Sequence, residues 1–288
     1  MSYLYYPGCT LYTKAKSFDE AGRRAGEKLG FTLEELPSWT CCGASFPLAE
    51  DYDMGLASST RVLAQARKLG PTLVTLCAVC HNVLKRTNAV LRGNEERRAK
   101  VTDFIEEPYD GELRVVHYLE VLRDDVGFDT VAVKVERPLS GLRVAAFYGC
   151  LLLRPVAEMD MDDPHHPTIL EGLLGALRAE PVDFPMKTEC CGAFQTIHSD
   201  ATATRCSREI IDSARRRGAE ALVTACPLCQ FNLEDRQEEM TKADAGFERL
   251  PVLYFTELLR IALGESAESM DVSRHYLDPR PVLQARGL

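Results

Sequence analysis

Ten of the eleven cysteines fall into two sets with one pattern. The first set is Cys9, then 31 residues, Cys41-Cys42, then 34 residues, then Cys77-x-x-Cys80. The second is Cys150, then 39 residues, Cys190-Cys191, then 34 residues, then Cys226-x-x-Cys229. Thiolates are soft metal ligands, and reduced cysteines at repeated spacings read better as a metal site than as a disulfide framework. Zinc and a cubane four-iron cluster each take four ligands, which leaves one cysteine of every set spare. Five thiolates around one centre point to a larger or more open iron–sulfur core. The backbone between adjacent cysteines is too short to chelate one iron readily, so the pair binds neighbouring irons or one member bridges. Gly43 and Gly192 follow the two pairs. A residue without Cβ lets backbone approach such a group and donate N–H bonds to its sulfur. A valine at Gly43 is therefore expected to lose the first cluster and spare the second.

The stretches around the cysteines are themselves repeated. "YLYYPGC" (Tyr3 to Cys9) matches "VAAFYGC" (Val144 to Cys150), and "LEELPSWTCCGASF" matches "EPVDFPMKTECCGAF". "ARKLGPTLVTLCAVCHNVL" matches "ARRRGAEALVTACPLCQFNL", and "VVHYLEVLRDDVG" matches "PVLYFTELLRIALG", all in the same order. Duplication of one ancestral unit explains this. Each unit opens with an apolar strand ending at Gly-Cys. A helix follows, over Phe18 to Leu29 or Thr168 to Leu177, then a short strand ending at Pro37 or Pro185. The vicinal cysteines lie in the next loop. A second helix runs from Tyr52 to Leu69 or from Ala201 to Arg217 and stops at Gly70 or Gly218. A β-branched strand then leads into each Cys-x-x-Cys, with Pro227 suited to a first helical position. Alternating strands and helices predict an α/β fold of two pseudo-repeated open-sheet units, each a small, mostly parallel sheet flanked by helices. Sites in such sheets form at the carboxyl ends of strands, so three loops of each unit deliver cysteines to one edge. The expected domains are a first repeat over 1–127, a linker over 128–141, a second repeat over 142–265 and a tail over 266–288.

Composition narrows the function classes. The chain has 288 residues, 45% hydrophobic and 27% charged, with a net charge of −9. An acidic balance argues against nucleic-acid binding. No apolar run reaches the length of a membrane span, and the start "MSYLYYPGCT" shows no secretory pattern, so a cytoplasmic protein is expected.

"YYPGCTL", the two "CCGA" motifs, "FYGCLLLRP", "ACPLCQFNL" and the tail "DPRPVL" resemble the B-subunit family of heterodisulfide reductases, which are cysteine-rich CCG-domain proteins, over nearly the whole chain. The resemblance implies two non-cubane [4Fe-4S] clusters. Cys9, Cys41, Cys42, Cys77 and Cys80 would hold one; Cys150, Cys190, Cys191, Cys226 and Cys229 would hold the other. It further implies an oxidoreductase that splits a disulfide into two thiols, or runs the reverse. The implied partners are the other two components of a heterodisulfide-reductase-like complex, one ferredoxin-like and one flavin-containing. The implied substrate is a thiol, a disulfide or a thiol-carrying protein. Two other readings remain open at this point. One is an electron-relay or anchor subunit of a quinone- or fumarate/succinate-linked complex that binds no thiol; the other is a structural zinc protein.

Residues outside the sets supply further candidates. His198, shortly after the second vicinal pair, is a candidate proton donor, weighed against a surface or capping histidine. Lys14, Lys16 and Arg154 lie just beyond the first cysteine of each unit and are candidates for attracting an anionic substrate. Cys77-Ala78-Val79-Cys80-His81 has the form of a c-type haem attachment site, but the second unit has glutamine where His81 stands, so His81 reads as a helix residue near the first cluster. Cys206 has no partner in the first unit and reads as a packed thiol. His165 and His166 lie in an insertion that reads as a solvated rim, and "RGNEERRAK" as an exposed helix end.

Overall fold

The computed structural model describes residues 1–44 and 53–288. Two four-stranded sheets follow one another along the chain. Strands β1 (Ser2–Tyr5), β2 (Thr32–Glu35), β3 (Thr72–Thr75) and β4 (Arg114–His117) form the first, in the order β2-β1-β3-β4. Strands β5 (Arg143–Phe147), β6 (Glu180–Val182), β7 (Ala221–Thr224) and β8 (Val252–Tyr254) form the second, in the order β6-β5-β7-β8. All six pairings are parallel, with Leu4 opposite Leu73 and Ala145 opposite Leu222 in the central pairs. The sheets are thus more uniform than the mostly parallel arrangement expected. Parallel strands need crossovers that cover both faces, which is why β7 is buried throughout and β3 and β5 beyond their first residue, while β1 is fully buried only at Tyr5.

The order reverses between β1 and β3, and again between β5 and β7. A crevice opens at such a switch point, because the two flanking connections leave on opposite sides. Cys9 lies four residues beyond β1 and Cys77 two beyond β3. Neither therefore ends its strand, contrary to the expectation from sequence. Cys9 sits in the short helix Gly8–Thr13, and Cys77 is the extended residue before helix Ala78–Gly93.

Most helices match their expected positions. Lys16–Leu29, Ile169–Ala176 and Asp200–Arg216 begin within two residues of the sequence reading. Helix Ala57–Leu69 is preceded by a 3-10 turn, Asp53–Leu56, and the start expected at Tyr52 lies outside the described residues. Gly218 is left-handed at φ 83°, whereas Gly70 is extended. "RGNEERRAK" is not a helix end alone. Helix Ala78–Gly93 stops there, and Asn94 caps a new helix, Glu95–Ile105, by accepting from the Arg97 backbone N–H at 2.9 Å. The stretch 128–141 begins with a short helix, Phe128–Val133.

Small residues let the halves close on each other. Helix Lys16–Leu29 presents Ala21, Gly22 and Ala25, all buried, and a Cβ on Gly22 would stand 3.4 Å from Thr256 Cγ2 of the other half. Phe18 stacks on Tyr254 of the other half at 4.3 Å, and Thr256 Oγ1 donates to the Phe18 carbonyl at 3.0 Å. Complete burial of such a phenylalanine stabilises by about 1.5–3 kcal/mol.

The tail is fastened by charge. His275 lies between two buried carboxylates, with Nδ1 3.3 Å from Glu234 and Nε2 3.1 Å from Glu257. The Tyr276 backbone N–H donates to Glu234 at 2.9 Å. Burial opposes the charge on His275, but the two glutamates outweigh it and raise the imidazole to about 10. The folded value lies above the unfolded value of about 6.5. The stabilisation is therefore complete below about pH 6.5 and lost as pH rises through about 10. His275→Gln should cost about 3–5 kcal/mol at about pH 6, because two buried carboxylates lose their cation. The cost should shrink toward about pH 10 in urea unfolding of the two proteins; a pH-independent difference would count against the ion pairs.

Candidate metal centre

Each five-cysteine set comes together at its own switch point. In the first, Cys9 Sγ and Cys41 Sγ are 3.8 Å apart, and Cys42 Sγ and Cys80 Sγ 3.6 Å. In the second, Cys191 Sγ and Cys229 Sγ are 3.4 Å apart, and Cys150 exchanges a hydrogen bond with Cys190. None forms a disulfide. Cys9, Cys41 and Cys190 are exposed, Cys150 is half-buried, and the other six are buried. Among the described residues, no three His, Cys, Asp or Glu side chains converge on a single ion position. Cys80 instead meets both Cys42 and Cys77, and Cys229 both Cys191 and Cys226, while Cys9 meets Cys41 and Cys150 meets Cys190, which is not the tetrahedron that one zinc needs.

Sulfurs this close cannot all ionise together without a cation. The contact with Cys80 draws Cys42 down to about 7, and that with Cys150 draws Cys190 down to about 6. The partners Cys80 and Cys150 are pushed well up by those same hydrogen bonds, Cys229 by its bonds with Cys191 and Cys226, and burial adds to all three. Burial raises Cys41. Each set thus holds some protons that a metal must displace on binding.

Glycines shape the cradle at two places. Gly43 N–H points at Cys41 Sγ (3.5 Å) and Gly192 N–H at Cys190 Sγ (3.4 Å), and both glycines have positive φ. They differ in crowding. A Cβ on Gly192 would lie 2.9 Å from Ala203 Cα, whereas one on Gly43 meets nothing described within 4 Å. The tighter position is therefore Gly192, and the constraint on Gly43 lies in its backbone angle. The sequence reading passed over a second pair. Gly8 and Gly149, immediately before Cys9 and Cys150, also have positive φ, and a Cβ there would stand 2.7 Å from Cys80 Sγ and 3.3 Å from Cys229 Sγ. The signal was present as Gly-Cys in both units.

The two sets adjoin. The Ala78 N–H, next to Cys77, donates to the carbonyl of Ala225, next to Cys226, at 3.0 Å. The repeat places Pro227 where Ala78 stands, and proline has no N–H to return the bond. The Leu76 carbonyl instead contacts His117 Nε2 at 2.7 Å. A narrow cleft opens on the second set, between Cys150, Cys190, Cys191 and Cys229, with Ala78 and Val79 of the first half in its wall.

The remaining candidates scatter. His198 is exposed and does not line the cleft. Lys16 is an exposed first residue of its helix. Arg154 donates to the Thr188 carbonyl at 2.8 Å. Lys14 lines a different cavity, which no cysteine enters. His81 is buried in its helix with Nε2 3.2 Å from Glu120, which occupies it as an axial haem ligand would not be. Cys206 sits behind the second vicinal pair, its Cβ 3.2 Å from where a Gly192 Cβ would be. His165 and His166 are exposed, and their backbone N–H groups donate to Asp163.

Comparison with known proteins agrees with this geometry. The cysteine-rich domain family called CCG matches residues 3–85 and 144–234, one match per half. The chain belongs to that family. Similar proteins include the 8-methylmenaquinol:fumarate reductase membrane anchor subunit of Wolinella succinogenes, 32% identical over 96% of this chain and 97% of that one. The B subunit of the ferredoxin/F420H2-dependent CoB-CoM heterodisulfide reductase of Methanosarcina acetivorans is 26% identical over 94% of this chain and 92% of that one. A crystal structure of a hypothetical protein from Helicobacter pylori shares the fold, with a TM-score of 0.75 at 14% identity over 96% of this chain, which spans 51% of that one. The family and these relatives support an iron–sulfur, reductase-type role. Among the described residues, no helix is long and apolar enough to cross a membrane.

Gly8→Ala should expel metal from the first set and spare the second, since it adds both a clash and about 1–3 kcal/mol of backbone strain. Gly192→Val should do the converse, and Gly43→Val should be milder than either. Metal content per chain, read beside an unchanged far-ultraviolet circular dichroism spectrum, checks the order.

Proposed function

We propose that the chain is the component of a multi-subunit oxidoreductase that carries out two-electron sulfur chemistry, reducing a disulfide to two thiols or running the reverse, at two non-cubane [4Fe-4S] clusters. The observation that carries this reading is the meeting of two complete five-thiol sets through the Ala78–Ala225 hydrogen bond. Cys9, Cys41, Cys42, Cys77 and Cys80 would hold one cluster, and Cys150, Cys190, Cys191, Cys226 and Cys229 the other. When bound, such a pair supplies two electrons, one from each side, and iron sites that stabilise a leaving sulfur as thiolate.

The chain's own residues do the rest. Gly8 and Gly149 keep the space beside Cys80 and Cys229 free of side chain. The N–H groups of Gly43 and Gly192 donate to ligand sulfur and so favour its charge. The exposed Cys190 and half-buried Cys150 leave the second set open to a substrate of the cleft, while Cys226 and Cys229 anchor it from below. Electrons would arrive from partners of the ferredoxin-like and flavin-containing kinds, since the cysteine sets are the chain's one recognisable redox motif.

A second reading is favoured by the Wolinella succinogenes relative, whose name places it in a quinol:fumarate reductase. There the same clusters would relay electrons between partners and bind no thiol.

One measurement series separates these. Purified anaerobically, the protein should contain about eight irons with matching acid-labile sulfide; two zincs without sulfide would sink the cluster assignment altogether. Small thiols and disulfides should then change the electron paramagnetic resonance spectrum of the oxidised protein. A spectrum indifferent to every thiol, in a protein that copurifies with a fumarate-reducing flavoprotein, would favour the relay.

A further inference from the structure

The duplicated halves should leave two equivalent clefts at their seam, one beside each Cys-x-x-Cys helix. Only one is filled. Beside helix Ala78–Gly93, the chain following Cys150 packs into the seam. Asn82 Nδ2 donates to the carbonyls of Leu151 (2.8 Å) and Arg154 (2.7 Å), and Lys85 Nζ donates to that of Met159. The second unit has eight more residues between its first cysteine and its vicinal pair, 39 against 31, so it has the chain to do this.

The equivalent cleft beside helix Pro227–Asp235 is open, with a volume of about 560 Å³. The repeat places Phe231 where Asn82 stands and Glu234 where Lys85 stands. The plugging polar pair is therefore absent: Phe231 lines the cavity, and Glu234 is turned to His275. The cavity is walled by rings. Phe231 and Tyr276 meet edge to face at 5.5 Å, and Tyr254 is fixed by its stack on Phe18. The tail forms the outer wall, and the buried His275 ion pairs hold it there.

Besides His275, whose charge is already matched by Glu234 and Glu257, two cations stand in this wall, Lys14 from the first half and Arg274 from the tail. Both are exposed, and neither has a hydrogen-bond or ion-pair partner among the described residues. Asp271, which feels the charge of Arg274, already accepts from the Ser273 N–H at 3.0 Å. In a chain with 43 acidic and 34 basic residues, two such cations across one ring-lined cavity are a local reversal of sign. A concave cavity of this size, with rings on one side and convergent polar groups on the other, has the character of a small-molecule site.

We propose that the open seam cleft binds a small organic anion, a carboxylate or sulfonate on an aromatic or apolar body, with its charge between Lys14 and Arg274 and its body against Phe231, Tyr254 and Tyr276. No cysteine lines this cavity, so it is a second site beside the cluster cleft and does not depend on the assignment of the clusters. It touches both sets indirectly. Thr10, next to Cys9, and Leu228, next to Cys229, are in its wall, and Leu228 also lines the cluster cleft. An occupant thus bears on the turns that carry one ligand of each set.

The test uses benzenesulfonate as the probe, against benzyl alcohol as a neutral ring of similar size and sulfate as a bare anion, by calorimetry on the whole protein as isolated. Benzenesulfonate should bind one per chain. Benzyl alcohol and sulfate should each bind about tenfold more weakly, since each lacks one half of the recognition. Lys14→Gln and Arg274→Gln should each weaken benzenesulfonate about fivefold. Lys100→Gln, on an exposed lysine outside the cavity, should leave its affinity unchanged. Both cavity positions are exposed, so the variants should keep the wild-type circular dichroism spectrum and melting temperature. Absence of saturable binding, equal binding of sulfate, or affinity indifferent to both cavity variants would overturn the proposal.

Discussion

Everything in this protein follows from the difficulty of bringing five thiols to one point. Sulfurs in van der Waals contact repel once ionised and resist ionisation when buried. The chain meets this by alternating the two states. Cys42 and Cys190 are drawn toward thiolate, while Cys80, Cys150 and Cys229 keep their protons. The parallel sheet supplies the only economical geometry for such a site, because three chain segments leave the same edge at the switch between β1 and β3, or between β5 and β7.

The glycines complete that geometry, and they show how position decides a residue's burden. Gly43 and Gly192 occupy the same place in the repeat, yet among the described residues Gly43 meets no neighbour while Gly192 is crowded by helix Asp200–Arg216 behind it. Cys206 belongs to that helix and helps to fill the space. Gly8 and Gly149 are closer to sulfur than either, because they precede the first cysteine where the chain turns away from β1 or β5.

Much of this was legible in the sequence. The cysteine spacings and the order of repeated stretches marked both sets, and β-branched runs marked β3 and β7, because burial on both faces of a parallel sheet writes itself as continuous apolar residues. Gly8 and Gly149 were visible as Gly-Cys but carried no spacing signal of their own. Their meaning depends on Cys80 and Cys229, more than 70 residues away in each case. The role of His275 was hidden for the same reason, since its partners Glu234 and Glu257 lie on two other elements. Lys14 and Arg154 looked equivalent beyond their cysteines. Only the folded seam separates them, one into an open cavity and the other onto the Thr188 carbonyl. "RGNEERRAK" misled because charge describes exposure and says nothing of the cap at Asn94 that starts a new helix.

The hydrogen bond from Ala78 to Ala225 has a direction. Two identical halves related by an exact twofold would make it in both senses or in neither, and Pro227 forecloses the second sense. With it the carbonyl of Leu76 was released to His117. The joint between the halves is therefore handed: one half donates and the other receives. A symmetric pair of second halves could make neither bond, since each would present Pro227 in place of a donor.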